Sequence, residues 1–97
     1  MDKNTVKNLT EVINNFDFEK VQDVMQYLNW TWADAENGVP ELYELKEKAT
    51  DLLIDSYENL IKNKEKEFFV GSGGFEASAW KDNDEYFFNL KFVLTEF

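Results

Sequence analysis

Three residue types are missing from this 97-residue chain: cysteine, histidine and arginine. Without cysteine there is no disulfide, thiolate metal site or cysteine nucleophile. Without histidine the chain lacks the usual base near neutral pH and the commonest zinc ligand. Without arginine it lacks the bidentate clamp for phosphate and carboxylate groups. Ordinary hydrolase, redox and zinc chemistry are therefore disfavoured, and an enzyme would need a site built from carboxylates alone. We predict a non-enzymatic protein that uses no metal or cofactor.

Positive charge is also scarce. The chain has 20 acidic residues and 10 lysines, which gives a net charge of −10. Such a surface repels nucleic acid and anionic membranes, because both are bound mainly through cationic side chains. An acidic surface suits a basic protein partner, or imitates nucleic acid, although many acidic proteins are simply kept soluble by their charge.

Long apolar runs are absent as well. No stretch approaches the roughly 20 apolar residues that span a bilayer, and the N-terminal residues lack the apolar core of a signal peptide. We therefore expect a cytoplasmic protein without a membrane segment. The composition is 43% hydrophobic and 16% aromatic, which is too apolar for a disordered chain. Residues 1–97 are predicted to fold as a single domain.

Apolar residues spaced three and four apart predict three helices in residues 1–63. The first covers residues 5–15 with Thr5 as its N-cap, and the second covers residues 18–29 with Asp17 as its N-cap. The third covers residues 40–62, with Pro40 in its first turn. Its apolar stripe is long and regular, so it defines the side of the helix that faces the core.

Residues 64–97 have the alternation of strands. Phe88, Leu90 and Phe92 alternate with polar residues, and residues 81–84 (KDND) are rich in turn formers, which predicts an antiparallel hairpin. The predicted fold is α+β, with two or three helices packed on a C-terminal hairpin or small sheet in the order α-α-α-β-β. Because two strands alone are marginally stable, we expect a homodimer joined through these strands. The alternative is a third strand from residues 67–71, folding back at the GSGG segment.

Two segments are candidates for ligand binding. Trp30 and Trp32 either close the core beside the third helix or form a stacking wall for a flat, nucleotide-like ligand. The GSGG segment is a bulge or turn, or else a nest of backbone amides for an anion, with Lys91 assisting. The predicted ligand-binding residues are thus Trp30, Trp32, Gly71, Ser72, Gly73, Gly74 and Lys91. The acidic residues at 34–36 and 82–85 lack the spacing of a calcium loop and are interpreted as solvated turns.

The third predicted helix also has a candidate protein-binding surface. Its outward side is rich in carboxylates at helical spacing, which would dock on a basic protein. The residues of this surface are Glu44, Glu47, Asp51, Asp55 and Glu58.

The segments FDFEKVQDVMQYLNWTW, GVPELYELKEKATDLL, GGFEA and LKFVLTEF resemble a group of small uncharacterised proteins from tailed-phage genomes. The resemblance covers roughly residues 16–97 and rests on a pattern of seven residues: Trp30, Trp32, Gly38, Pro40, Gly73, Gly74 and Phe75. It brings no catalytic motif. What it implies is a small accessory protein made in the host cytoplasm during infection, of the kind that binds and neutralises host or defence components one for one.

These observations lead to one functional hypothesis with two forms. A phage accessory protein would inhibit a host or defence protein by stoichiometric binding, or would sequester a nucleotide-like signal molecule. The alternatives are an acidic nucleic-acid mimic and a structural or virion-assembly protein. Lys46, Lys48 and Lys62 interrupt the acidic row of the third helix and make the mimic the weaker hypothesis.

Overall fold

The computed structural model describes residues 1–29, 31 and 38–93, and contains three helices followed by three strands. The α+β class and the order of helices before strands are confirmed, but the order is α-α-α-β-β-β because a third strand is present. The elements are α1 (Lys3–Asn15), α2 (Phe18–Tyr27), α3 (Leu42–Lys62), β1 (Glu67–Ser72), β2 (Phe75–Asp82) and β3 (Glu85–Phe92).

Aspartates begin the first two helices. The Asp2 side chain accepts a hydrogen bond from the backbone N–H of Thr5 at 2.8 Å, so Asp2 is the N-cap of α1. The prediction that Thr5 is the cap was wrong, because Thr5 lies inside the first turn with its side chain buried. The prediction for α2 is confirmed: Asp17 accepts from the backbone N–H of Lys20 at 3.0 Å.

Helix α3 begins two residues later than predicted. Glu41 is its N-cap and forms a capping box with Glu44, whose Oε1 accepts the backbone N–H of Glu41 at 3.1 Å. Pro40 therefore precedes the helix. Its carbonyl accepts a hydrogen bond from the Gln22 side chain at 3.0 Å, which ties the start of α3 to α2. The predicted core side of α3 is confirmed by its buried residues, which are Leu45, Ala49, Leu52, Leu53, Ser56 and Leu60.

The sheet is an antiparallel meander in the order β1-β2-β3. Each connection is a two-residue turn with positive φ at both residues: Gly73 and Gly74 between β1 and β2, and Asn83 and Asp84 between β2 and β3. Positive φ at both central residues is the requirement of the type I′ hairpin turn, whose twist matches that of the strands. The alternative of a third strand that folds back at GSGG is therefore confirmed.

Helices cover one face of the sheet. Helix α3 packs across β1 and β2, and α1 packs along β3. The centre of the sheet presents Ala77 and Ala79, both fully buried, and such small side chains let α3 lie close to β2. An aromatic cluster closes one end of this layer, where the Phe75 ring lies 5.3–6.0 Å from three neighbouring rings. Those three rings belong to Phe16, Phe18 and Phe92.

Candidate functional site

One face of α3 carries a row of carboxylates, here called the acidic stripe: Glu44, Glu47, Asp51, Asp55 and Glu58. At about 100° per residue the five positions fall within a sector of roughly 80°, on the side away from the buried residues of the helix. With a rise of 1.5 Å per residue the stripe is about 21 Å long. The role of these residues in binding a protein stays a prediction.

The charges of the acidic stripe are not neutralised by neighbouring lysines. Among the described residues, the only ion pair within 4 Å joins Lys81 to Asp84, which lie in and beside a sheet turn. Four stripe residues are exposed, and Glu44 is half-buried because its carboxylate completes the capping box. Of the three lysines expected to interrupt the acidic row, Lys46 and Lys48 fall outside this sector. Only Lys62 lies in it, at its C-terminal end, so the stripe is continuous from residue 44 to residue 58.

The polar side chains beside the stripe bond to the helix backbone rather than to the carboxylates. The Thr50 hydroxyl donates to the Lys46 carbonyl at 2.7 Å, and the Asn59 amide donates to the Asp55 carbonyl at 2.8 Å. These bonds hold the flanking side chains against α3. The four exposed residues of the stripe are therefore free of bonds to these flanking side chains, and a partner can reach them.

The predicted ligand-binding residues are only partly brought together. Trp30 and Trp32 lie outside the described residues, and their role stays a prediction. Gly71 and Ser72 end β1, while Gly73 and Gly74 form the turn. Lys91 lies at the same end of the sheet, on the face away from the helices.

An acidic residue separates the GSGG segment from Lys91. In the strand register Gly71 pairs with Glu76, and Glu76 pairs with Lys91. Directly opposed residues of adjacent strands lie on the same face, so Glu76 lies between Gly71 and Lys91 on the outer face of the sheet. An anion held by Lys91 on this face would have a carboxylate as its neighbour. The register thus gives the anion-binding hypothesis no added support.

An aromatic group lies on the outer face of the sheet, and Phe69 is the member of it that the sequence reasoning missed. Phe69 is 55% exposed, and the half-buried rings of Trp80 and Phe87 stack with their centroids 6.0 Å apart. The signal was the alternation within residues 67–72, where Phe68 and Val70 face the helices and Phe69 faces away. That alternation indicates an outward-facing Phe69 only when residues 67–72 are known to form a strand.

The two edges of the sheet differ in how they are covered. Helix α1 lies along β3, and the Asn8 side chain donates to the backbone carbonyl of Tyr86 at 2.8 Å. A shallow groove of about 410 Å³ remains between α1 and β3, with Val12 and Phe16 on the helix side. The β1 edge has no comparable hydrogen bond to a helix in the described part of the chain.

Among the described residues, two ionisable groups have displaced pKa values. The pKa of Asp2 lies below its ordinary 3.8 because the backbone N–H of Thr5 donates to the carboxylate. The pKa of Tyr57 is raised above its ordinary 10.0 chiefly by burial, with a further contribution from Tyr86, whose ring lies 5.0 Å away. Asp2 is the exposed N-cap of α1, Tyr57 packs between α3 and β3, and neither lies in the acidic stripe.

A comparison of the chain with known protein families, curated proteins and solved structures found no match. Within residues 1–29 and 38–93, no helix is long and apolar enough to cross a membrane. The same residues contain no cluster of three or more acidic side chains placed to hold a metal ion. The acidic stripe and the parts of the sheet that the described residues leave uncovered are thus the surfaces open to a partner.

Proposed function

We propose that this protein acts by stoichiometric binding to another protein, as a phage accessory inhibitor of a host or defence component. The acidic stripe of α3 would dock on a basic surface of that component. The observation that carries the proposal is the row of five carboxylates about 21 Å long, four of them exposed and none in an ion pair among the described residues.

The packing of α3 against the rest of the protein supports this role. The side of the helix opposite the stripe is fully packed: Leu45, Ala49 and Leu53 have no exposed surface. A helix held in this way presents its charges at fixed spacing and loses little conformational freedom when a partner binds. A net charge of −10 would in addition steer a basic partner toward the protein.

The test compares two variants with the same net charge. In the stripe variant four exposed stripe carboxylates become amides, and in the control variant four exposed carboxylates elsewhere do. The stripe variant is E47Q/D51N/D55N/E58Q, and the control is E11Q/E19Q/D23N/D82N. A partner is first isolated from infected-host lysate with the unmodified protein, and its Kd is then measured for all three proteins. At about 0.5 kcal/mol per exposed pair, the stripe variant should bind about 30-fold more weakly.

The control variant should keep the affinity of the unmodified protein, which would show that position and not net charge matters. Raising the salt from about 50 to 500 mM should weaken binding of the unmodified protein, because salt screens exposed charges. Equal binding by the stripe and control variants, or an affinity indifferent to salt, would refute docking through the stripe. Circular dichroism and thermal melting establish that each variant is folded.

A nucleic-acid mimic would use the same carboxylates, so the identity of the partner separates the two functions. If the isolated partner is a nucleic-acid-binding protein, duplex DNA should compete with this protein for it, and the competition should disappear in the stripe variant. A partner that binds DNA and this protein simultaneously argues against mimicry. The stripe residues supply the acidic row that either function needs.

Sequestration of a nucleotide-like signal is tested separately, because it depends on Trp30, Trp32 and the GSGG segment. Native mass spectrometry of protein purified from its expression host would show a retained ligand of a few hundred daltons together with the subunit count. A bare species would remove the support for sequestration. The remaining part of the proposal is a homodimer joined through the C-terminal strands. Such a dimer is compatible both with inhibition of a partner and with a role in virion assembly.

A further inference from the structure

The hydrogen-bonding direction of each β1 residue follows from the register. Ser72 and Phe75 flank the Gly73–Gly74 turn as a bonded pair, and at the other end the Lys81 N–H donates to the Lys66 carbonyl at 3.2 Å. Bonded and non-bonded pairs alternate along an antiparallel ladder. Phe68 and Val70 therefore bond to β2. The backbone groups of Glu67, Phe69 and Gly71 point away from β2 toward the open edge.

This edge is exposed, and its protection against pairing is limited to its short length and one charged residue, Glu67. Glu67, Phe69 and Gly71 are all exposed, and no backbone bond joins them to another part of the described chain. β1 contains no proline, and each of its residues pairs one-to-one with a β2 residue, so there is no bulge. Proteins usually blunt such edges with these devices or cover them, as α1 does for β3. An uncovered strand of this kind is a template for another strand.

We propose that the strand that covers it is β1 of a second copy, paired antiparallel about a two-fold axis at Phe69. This inference deepens the homodimer named above by specifying its interface. Phe69 would lie opposite the partner's Phe69, and Glu67 opposite the partner's Gly71. All three outward-pointing residues then form bonded pairs, with six backbone hydrogen bonds. Sliding the register by two residues leaves only two such pairs.

The side chains are compatible with this register. Phe68 would lie opposite the partner's Val70 on the helix-covered face, and both are half-buried apolar residues that gain cover. Glu67 would face a glycine, so no two like charges are directly opposed. Residues 62–72 contain three lysines and two glutamates, a net charge of +1 in a chain whose total is −10. Two acidic chains would thus meet at a segment that is not acidic.

The symmetry has a consequence for the acidic stripe. A two-fold axis perpendicular to the joined sheet keeps both α3 helices on the same side, since each α3 packs on its own β1 and β2. The dimer would present two acidic stripes on one surface. A partner that contacts both would bind with avidity rather than with the affinity of a single stripe.

Disulfide cross-linking tests this register directly, because the chain has no cysteine of its own. Bonded residues of an antiparallel pair have Cα atoms about 5.5 Å apart, within the range that a disulfide spans. Under mild oxidation at about 50 µM protein, F69C should cross-link at least tenfold faster than N89C, a control at an exposed position on the same outer face of β3. Sedimentation velocity on the unmodified chain reports whether it dimerises.

Mixing two variants tests the register itself. E67C and G71C should cross-link to each other when mixed, whereas E67C alone should not, because its own two copies would be about 13 Å apart at 3.3 Å per residue. F69K should dissociate the dimer, and N89K should not.

The outcomes distinguish three claims: pairing through β1, the existence of a homodimer, and docking through the acidic stripe. A monomer at all concentrations with no preferred cross-linking of F69C would refute both the β1 pairing and the homodimer. A dimer in which F69C cross-links no faster than N89C would refute β1 pairing alone. A dimer in which E67C cross-links to itself would refute the register centred on Phe69. Binding through the stripe is measured by partner affinity, so it stands or falls independently of these results.

Discussion

Replacing Phe75 with leucine should destabilise the fold far more than the same replacement at Phe69. Phe75 is 2% exposed and its ring lies 5.3, 6.0 and 6.0 Å from the rings of Phe92, Phe16 and Phe18. Aromatic pairs of this kind contribute about 0.5–1.5 kcal/mol each beyond the area that they bury. Three pairs at the lower bound give about 1.5 kcal/mol for Phe75→Leu. Truncation to alanine should cost about 3–5 kcal/mol.

The assay is urea unfolding followed by tryptophan fluorescence and circular dichroism. With a slope near 1.5 kcal/mol per molar urea, Phe75→Leu should lower the midpoint by about 1 M. The melting temperature should fall by about 6–12 °C in a domain of this size. Phe69→Leu should change the midpoint by less than about 0.3 M, because that ring is 55% exposed and belongs to no packed cluster with these residues.

Equal effects at the two positions would refute the assignment of faces in the sheet. The strand alternation places Phe75 toward the helices and Phe69 away from them, so equal costs would mean that both rings are buried. A loss below about 0.5 kcal/mol for Phe75→Leu would show that the aromatic cluster does not join the helices to the sheet in the way described.

Two further predictions concern a helix start and a turn. Because the pKa of Asp2 is lowered in the folded chain, its contribution to stability is present above the ordinary value of 3.8 and is lost as the pH falls through the lower folded value. Asp2→Asn keeps a hydrogen-bond acceptor without the charge. Between about pH 4 and pH 2, the urea midpoint of this variant should therefore fall less than the midpoint of the unmodified protein. Equal falls would argue against Asp2 as the charged cap. Asp84→Gly should raise stability by about 0.5 kcal/mol, because residue 84 has a φ of +65° that glycine adopts without strain. Asp82→Gly, inside β2, should lower stability in the same urea assay, and a loss at both positions would contradict the turn geometry.

The helical part of the chain was predictable to within a few residues. The spacing of apolar residues fixed which side of α3 is buried, and the same spacing placed the acidic stripe on the opposite side. The errors were at helix ends. Asp2 is the cap of α1 rather than Thr5, since a cap depends on which side chain bends back to a free N–H, and neighbouring polar residues compete for that role.

The strands were less predictable from the sequence than the helices. Alternation and turn residues predict the KDND turn and β3. They predict β1 only as an alternative to a two-stranded hairpin, because its alternation is short and ends in glycines. Only pairing with β2 makes those glycines a turn. The exposure of Phe69 could not be read locally, since it depends on which strand lies at the sheet edge and on which edge α1 covers.

By itself, the sequence of this protein determined its class, its helix faces, its −10 charge and the side-chain types that it lacks, because composition and short-range periodicity are local properties. The tertiary structure alone decided that Glu76 lies between Gly71 and Lys91 across the sheet, that Phe75 joins the helices to the sheet, and that β1 is the edge strand left open by the described residues. Each of these depends on strand register and layer packing, which bring together residues that are distant in the chain. No local pattern records such pairings.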